Sequence, residues 1–179
     1  MSNTIFLISG PSGSGKTSLT LALLQRIQSL KKIVTYTTRM PRNGEVDGLD
    51  YHFVSVDRFR ELEHSGYFIE TDSAYSELYG VPSRELVAGS DLAVIVTVEG
   101  ARALRTMLSN SHSVFIVPGD TKAAAERVLR RAAPNALPRL RAYTDEVKSL
   151  YEYDTVIVNQ DFDAAVEQFA ATIQARRSA

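Results

Sequence analysis

The sequence predicts a three-layer α/β sandwich built on a parallel sheet. Two observations carry that expectation. Five short apolar runs, at residues 4–9 (TIFLIS), 33–36 (IVTY), 92–98 (LAVIVTV), 113–118 (SVFIVP) and 154–159 (DTVIVN), are too continuous for half-exposed strands and suit strands covered on both faces. Around them apolar residues recur at helical spacing, as in Leu19, Leu23, Ile27 and Leu30, and again in Val166, Phe169 and Ile173. A length of 179 residues suits one core and is short for two, so a single domain over 1–179 is expected.

Taken in order, the first run leads directly into a glycine-rich loop and then a helix. Residues 37–82 break the alternation: they are rich in Gly, Pro, Tyr and charge. Short strand-like pieces, YHFVS (51–55) and YFIET (67–71), flank a helix, DRFRELEHS (57–65), for which Asp57 is the expected cap. This is an inserted segment, with outer bounds 35–91. Residues 121–150 form a second insert of two helical stretches, divided by APNALP, whose prolines stop a helix. Arg127, Arg130, Arg131, Arg139 and Arg141 lie in or beside that break. The core is then left to 1–34, 92–120 and 151–179. No internal repeat or low-complexity linker interrupts it.

The formal net charge of −1 argues against a nucleic-acid-binding tail or a membrane-seeking surface. The absence of cysteine removes disulfides, thiolate metal sites and thiol nucleophiles, and fits a reducing compartment. The opening MSNTIFLISG lacks the basic and long apolar segments of a secretory leader, and no other run reaches membrane-spanning length. A soluble, cytoplasmic protein is expected. The sequence leaves its oligomeric state open.

GPSGSGKT, Gly10 to Thr17, matches G-x-x-x-x-G-K-[ST] between a buried strand and an amphipathic helix, where the motif has its physical meaning. The glycines let consecutive backbone N–H groups converge on phosphate oxygens, and the helix N-terminus adds partial positive charge. The fold expectation sharpens to a P-loop NTPase sandwich. Ser12, Gly13, Ser14, Gly15 and Ser18 join Lys16 and Thr17 as nucleotide contacts. Lys16 would reach the β- and γ-phosphates, and the Thr17 hydroxyl would ligate Mg2+.

Farther on, Arg39 and Arg42 lie three apart beside Pro41, with Tyr51 following. Two guanidinium forks and a phenol suit a phosphate dianion held rigidly; a decorated surface loop is the plain alternative.

At TTRMPRNGEVDGLDYHFVS (37–55), together with the phosphate loop, YFIE (67–70), YG (79–80) and VIVN (156–159), the chain strongly resembles the guanylate kinases over nearly its whole length. The resemblance implies an ATP-dependent kinase that phosphorylates GMP or dGMP by in-line transfer. The insert at 35–91 would bind the nucleoside monophosphate, and that at 121–150 would be a helical lid. Arg39, Arg42, Tyr51 and Tyr79 would hold the acceptor phosphate, Glu70 would recognise guanine, and Thr35 would sit near its O6. One carboxylate can accept from both the N1–H and the 2-amino group of guanine, a pair of donors adenine lacks. Arg127, Arg131 and Arg139 would close over the ATP phosphates, with Lys16, Arg39, Arg131 and Arg139 forming the catalytic set, and Asn159 would lie close to adenine.

The resemblance fails at one stretch. Where the family reads roughly D-x-D-x-Q-G, this chain has IVTVEG (95–100), with Ile95 and Thr97 in place of the two aspartates and Glu99 in place of the glutamine. The first acid lies near metal and phosphates in the family, and the second helps bind the guanine 2-amino group. Val81 replaces a serine or threonine near O6, and SAYSELYG differs from the usual GNYYG. Thr97 stays among the expected substrate contacts. If 92–98 is one strand, alternation puts Ile95, Thr97 and Glu99 on one face, which makes Glu99 a candidate second metal ligand; the other reading is a capping acid on a helix starting near Gly100. Two lost hydrogen bonds could relax base choice, leaving open a kinase for a different or modified monophosphate, or a nucleotide-binding module with little turnover. Retention of Lys16, Arg39 and Arg42 favours an active enzyme.

Overall fold

A computed structural model describes residues 3–86, 89–132 and 136–178, and the side chains of Arg131 and Ala132 fall outside that description. The chain runs β1 (Ile5–Ser9), α1 (Lys16–Arg26), β2 (Leu30–Lys32), β3 (Tyr36–Thr37), β4 (His52–Phe53), α2 (Val56–His64), β5 (Phe68–Ala74) and β6 (Glu77–Pro82). It continues through β7 (Asp91–Ile95), α3 (Val98–Met107), β8 (Ser111–Pro118), α4 (Thr121–Ala132), α5 (Ala136–Lys148), β9 (Thr155–Asn159) and α6 (Phe162–Arg177).

Five strands form the expected parallel sheet in the order β2-β7-β1-β8-β9. Strand β1 shows why its sequence reads as a continuous apolar run. Phe6 and Ile8 point into a core with Leu19 and Leu23 of α1 and Phe169 and Ile173 of α6, whereas Ile5 and Leu7 pack with Leu92, Val94 and Leu104 on the opposite face. Both faces are covered, so neither half of the alternation can be polar. A second sheet, in the order β4-β3-β6-β5, is built from the segment that broke the alternation.

Four boundaries differ from expectation. Leu30, expected on one helix with Leu19, Leu23 and Ile27, instead opens β2, because α1 ends at Arg26 and Ile27 is already extended. The run 33–36 is not one strand: Ile33 still donates to the Ala93 carbonyl at the edge of the first sheet, but Tyr36 and Thr37 pair with β4 and β6 in the second. Four apolar residues do not specify which sheet they join. Helix α2 is capped by Ser55, whose hydroxyl accepts from Arg58 N at 3.2 Å; Asp57 lies in the first turn, where its charge favours the helix dipole. The run 92–98 stops being a strand at Ile95, and Thr97 caps α3 by accepting from Gly100 N at 2.9 Å. In the second insert, Pro138 sits in the first turn of α5, where a missing N–H costs nothing, while the Pro134 side of the break lies outside the described residues.

At the amino end of β7, the buried Asp91 carboxylate ties three remote segments together. Its Oδ1 accepts from Thr4 N at 2.8 Å and its Oδ2 from Arg177 Nε at 2.5 Å. Asp91→Ala should therefore lower the unfolding free energy by about 1.5 to 3 kcal/mol, read from the midpoint of urea denaturation. An unchanged midpoint would mean that water replaces both contacts without loss.

Candidate active site

Strand β1 delivers the chain to the glycine-rich loop at the carboxyl edge of the sheet, a position where α/β folds bind ligands. Gly15, the residue before α1, has φ +94°, and a Cβ there would lie 2.3 Å from Asn159 Nδ2. No side chain caps α1, so its first N–H groups face the cleft free of an internal acceptor. The Asn159 amide, at the end of β9, donates to the Ser14 carbonyl at 2.8 Å and so braces the loop. Lys16 Nζ donates to the carbonyls of Gly10 at 2.5 Å and Pro11 at 3.1 Å. Burial lowers its pKa to about 8, opposed by Glu146 and reinforced by Arg139 and Arg42. Ser12, Gly13, Gly15, Thr17 and Ser18 line the same cleft, whereas Ser14 is buried beneath it.

Arginines close round this loop from α4 and α5. Arg127 donates through Nε and Nη2 to the Gly13 carbonyl, at 3.0 and 2.8 Å. The buried Arg139 reaches Ser12 Oγ at 3.1 Å and the Tyr79 hydroxyl at 3.3 Å, and its guanidinium lies 4.2 Å from the centre of the Tyr75 ring. Its Nε is buried without a partner among the described residues. Arg131 belongs to α4, but its side chain lies outside the described residues.

Across the cleft, Arg39, Arg42, Tyr51 and Tyr79 come together. Arg39 is buried and held in a bidentate pair by Glu45, at 2.8 and 2.9 Å, with the Tyr51 and Phe53 rings 5.2 and 5.5 Å from its guanidinium carbon. The same Glu45 accepts from Arg42 N at 2.7 Å. Burial and the charges of Arg39 and Arg139 lower the pKa of Arg42. Like charges are thus concentrated at one end of the cleft, an arrangement that bound phosphates would stabilise.

The other end is acidic, with polar and apolar side chains both in its walls. Glu70 is buried and makes no hydrogen bond with any described residue; burial first, and the charge of Asp72 second, raise its pKa to about 7. Gly100 makes room for it: a Cβ there would stand 3.0 Å from Glu70 Oε1. Thr35, Val81, Ile95 and Thr97 line the same pocket. Glu99 does not turn toward the phosphates. In the first turn of α3 it pairs with Arg102, which also holds Glu152 at 2.6 Å. The expected strand alternation fails there because the backbone has already become helical.

Four further residues belong to this site. Glu45 lay inside the quoted arginine block, and its spacing from Arg39 and Arg42 carried the signal. Asp72 stands two residues from Glu70, the spacing that puts strand side chains on one face. Tyr75 and Glu146 gave no such signal. Tyr75, with φ +57° at the β5–β6 turn, donates its hydroxyl to Glu146 of α5 and so joins the second sheet to the helical insert.

A phosphate loop at the carboxyl edge of a parallel sheet, faced across one cleft by a second set of anion-gripping arginines, defines a P-loop phosphotransferase acting on nucleotides. A family model for guanylate kinase matches residues 2–176. Guanylate kinase of Methylobacillus flagellatus is 37% identical over 184 residues, covering 99% of this chain and 91% of that protein. Guanylate kinase of Chromohalobacter salexigens is 37% identical over 183 residues, covering 98% and 85%. The crystal structure of guanylate kinase from Anaplasma phagocytophilum superposes with a TM-score of 0.81 at 27% identity, covering 97% of this chain and 86% of that one. The chain belongs to the guanylate kinase family.

Burial alone would raise the Glu45 pKa, yet the hydrogen bonds and charges of Arg39 and Arg42 hold it below the ordinary 4.5. The pair's stabilisation is therefore present above that value and disappears as the pH falls through the depressed one. Glu45→Gln should lower the unfolding free energy by about 1 to 3 kcal/mol at neutral pH and raise the KM for a phosphorylated acceptor roughly tenfold. Thermal denaturation and steady-state kinetics check both effects; an unchanged KM would mean that Arg39 keeps its place without Glu45.

Proposed function

We propose that this protein transfers the γ-phosphoryl group of ATP to GMP, giving ADP and GDP. The observation that supports it most directly is the pair of opposed phosphate grips, the Lys16 loop on one side and Arg39 with Arg42 on the other, lining one cleft. The second sheet with α2, within 35–91, would be the GMP-binding part, and α4 with α5, within 121–150, the lid.

In this reading an oxygen of the GMP phosphate attacks the γ-phosphorus in line. The new P–O bond forms as the bond to the β–γ bridging oxygen breaks, and ADP carries away the electron pair. A phosphate dianion needs no general base near neutral pH. Lys16 and the loop N–H groups would hold the β- and γ-phosphates, and Arg139 with Arg131 would stabilise charge on the group in transit. Arg127, already fixed to Gly13, would keep the loop in shape, and Asn159 would do the same from β9 while bordering the adenine side. Arg39, Arg42, Tyr51 and Tyr79 would aim the attacking phosphate.

For Mg2+, the exposed Thr17 hydroxyl opens on the phosphate cleft and fits a single protein oxygen; no cluster of three or more acidic, histidine or cysteine side chains suited to a metal occurs among the described residues. That donor set suits an ion with few protein ligands, and when bound Mg2+ would supply neutralisation of phosphate charge. The partners are small nucleotides. Among the described residues no helix is long and apolar enough to cross a membrane. A cytoplasmic, reducing setting is the proposed location, in agreement with a cysteine-free chain.

Glu70 and Thr35 would meet guanine. An ADP-coupled assay with GMP, dGMP, AMP, UMP, CMP and IMP should find GMP well ahead; another preferred acceptor, or binding without ADP release, overturns the proposal.

Glu70 accepts from the donor edge of guanine in its ionised form, so GMP affinity should fall up to tenfold per pH unit as pH drops below about 7, with proton release on binding. The free protein behaves oppositely. A carboxyl whose folded pKa is raised stabilises the fold at low pH, and that contribution is lost as pH rises from the ordinary 4.5 through about 7. Calorimetric titration with GMP between about pH 6 and 8 checks this, with Glu70→Gln separating the carboxyl from the GMP phosphate, which itself titrates near pH 6. An equal pH slope in wild type and Glu70→Gln would show that only the nucleotide is titrating.

A further inference from the structure

Position 97 has a hydroxyl where the family has the carboxylate that meets the guanine 2-amino group, yet the pocket is not short of a second acid. Glu70 and Asp72 pair across the β5–β6 ladder with Val81 and Tyr79, and all four side chains line the same pocket. Period-2 geometry accounts for the shared face. A chain of hydrogen bonds then fixes Asp72. Gly100 N donates to Thr97 Oγ1 at 2.9 Å, and Thr97 Oγ1 donates to Asp72 Oδ2 at 2.5 Å. Ser73 N donates to the other oxygen, Oδ1, at 2.7 Å. Each carboxylate oxygen accepts two hydrogen bonds, so both retain capacity toward the pocket.

We infer that Asp72 is a specificity-determining residue that receives the 2-amino group of the acceptor purine, taking over from β5 the role that family members give to an acid at position 97. Thr97 is its positioning residue. This rests on the reading that the acceptor is a guanine nucleotide. Glu70 then takes the N1–H and Asp72 the 2-amino group, so two adjacent donors meet two carboxylates, Glu70 buried and Asp72 half-buried. A bound base covers Asp72 further, so one that offers no donor opposite it takes water from a carboxylate without replacing the hydrogen bond, a larger penalty than the loss of an exposed one. The competing view of Asp72 is purely structural, as a tie between the second sheet and the cap of α3. The two views differ in which nucleotide suffers when the side chain changes.

IMP keeps the N1–H and O6 of GMP and lacks only the 2-amino group, so the ratio of kcat/KM for GMP over IMP isolates this contact. Asp72→Ala and the near-isosteric Asp72→Asn should lower that ratio by roughly tenfold or more, through loss of GMP while IMP is unchanged or improved. In Asp72→Ala, adding Thr97→Asp should restore the ratio, because aspartate serves as well as threonine at a helix N-cap and returns the acid to its family position. Calorimetric binding of GMP and IMP to each variant reads the same ratio without turnover.

Equal losses for the two nucleotides, or an unchanged ratio, would overturn the inference, leaving Glu70 to accept both donors. Failure of Thr97→Asp to recover the ratio would likewise count against it. The function reading fails separately: wild-type protein that phosphorylates neither GMP nor IMP overturns that reading and removes the basis of this one.

Discussion

Cations that grip phosphate repel one another, and the fold must hold them together before any phosphate arrives. Lys16 lies near Arg42 and Arg139, and their charges add to burial in lowering its pKa. Such a cluster is preorganised only if each member is tied down by something other than substrate. The ties differ in kind. Lys16 caps loop carbonyls, Arg127 is fixed to Gly13, Arg39 is locked into Glu45, and Arg139 rests on the Tyr75 ring. The parallel sheet supplies the rigid edge on which these ties converge, since α1 and α6 bury one face and α3 the other.

The far end of the cleft reverses the sign. There the acids are the buried Glu70 and the half-buried Asp72, beside Thr35 and the apolar Val81. A purine monophosphate with an N1–H and a 2-amino group is itself polarised in the matching sense, anionic at the phosphate and donor-rich along one edge of the base. The complementarity also orients the ligand, because a reversed nucleotide would set phosphate against carboxylates and leave the arginines unpaired. A Glu70 pKa near 7 records the cost of keeping that acidic end dry.

Strands β1 and β8 were legible because burial on both faces leaves little choice of residue. The phosphate loop was legible because few sequences satisfy its backbone geometry. The arginines at 39 and 42 could be named, but not the fact that Glu45 holds both. Where one element becomes another, periodicity misled: extending the apolar run to residue 98 placed Thr97 and Glu99 on a strand face, whereas the chain turns helical at Val98 and Glu99 leaves for Arg102. The Tyr75 to Glu146 contact spans 71 residues and depends on a left-handed turn at a tyrosine, which no local pattern encodes.

The departure at position 97 follows from two demands made on one side chain. It begins α3, so it must offer an oxygen to the Gly100 N–H, a requirement that aspartate and threonine both meet. It also borders a pocket that already contains Glu70 and Asp72, whose mutual repulsion contributes to the high Glu70 pKa. A third carboxylate there would push Glu70 further toward its neutral form and set a donor facing a donor-rich base edge. Threonine keeps the cap, and its hydroxyl proton turns a would-be repulsion into a hydrogen bond to Asp72. If Asp72 receives the 2-amino group, the acid that the resemblance places at 97 is carried here on β5, and the charge is anchored on the second sheet instead of at the start of α3.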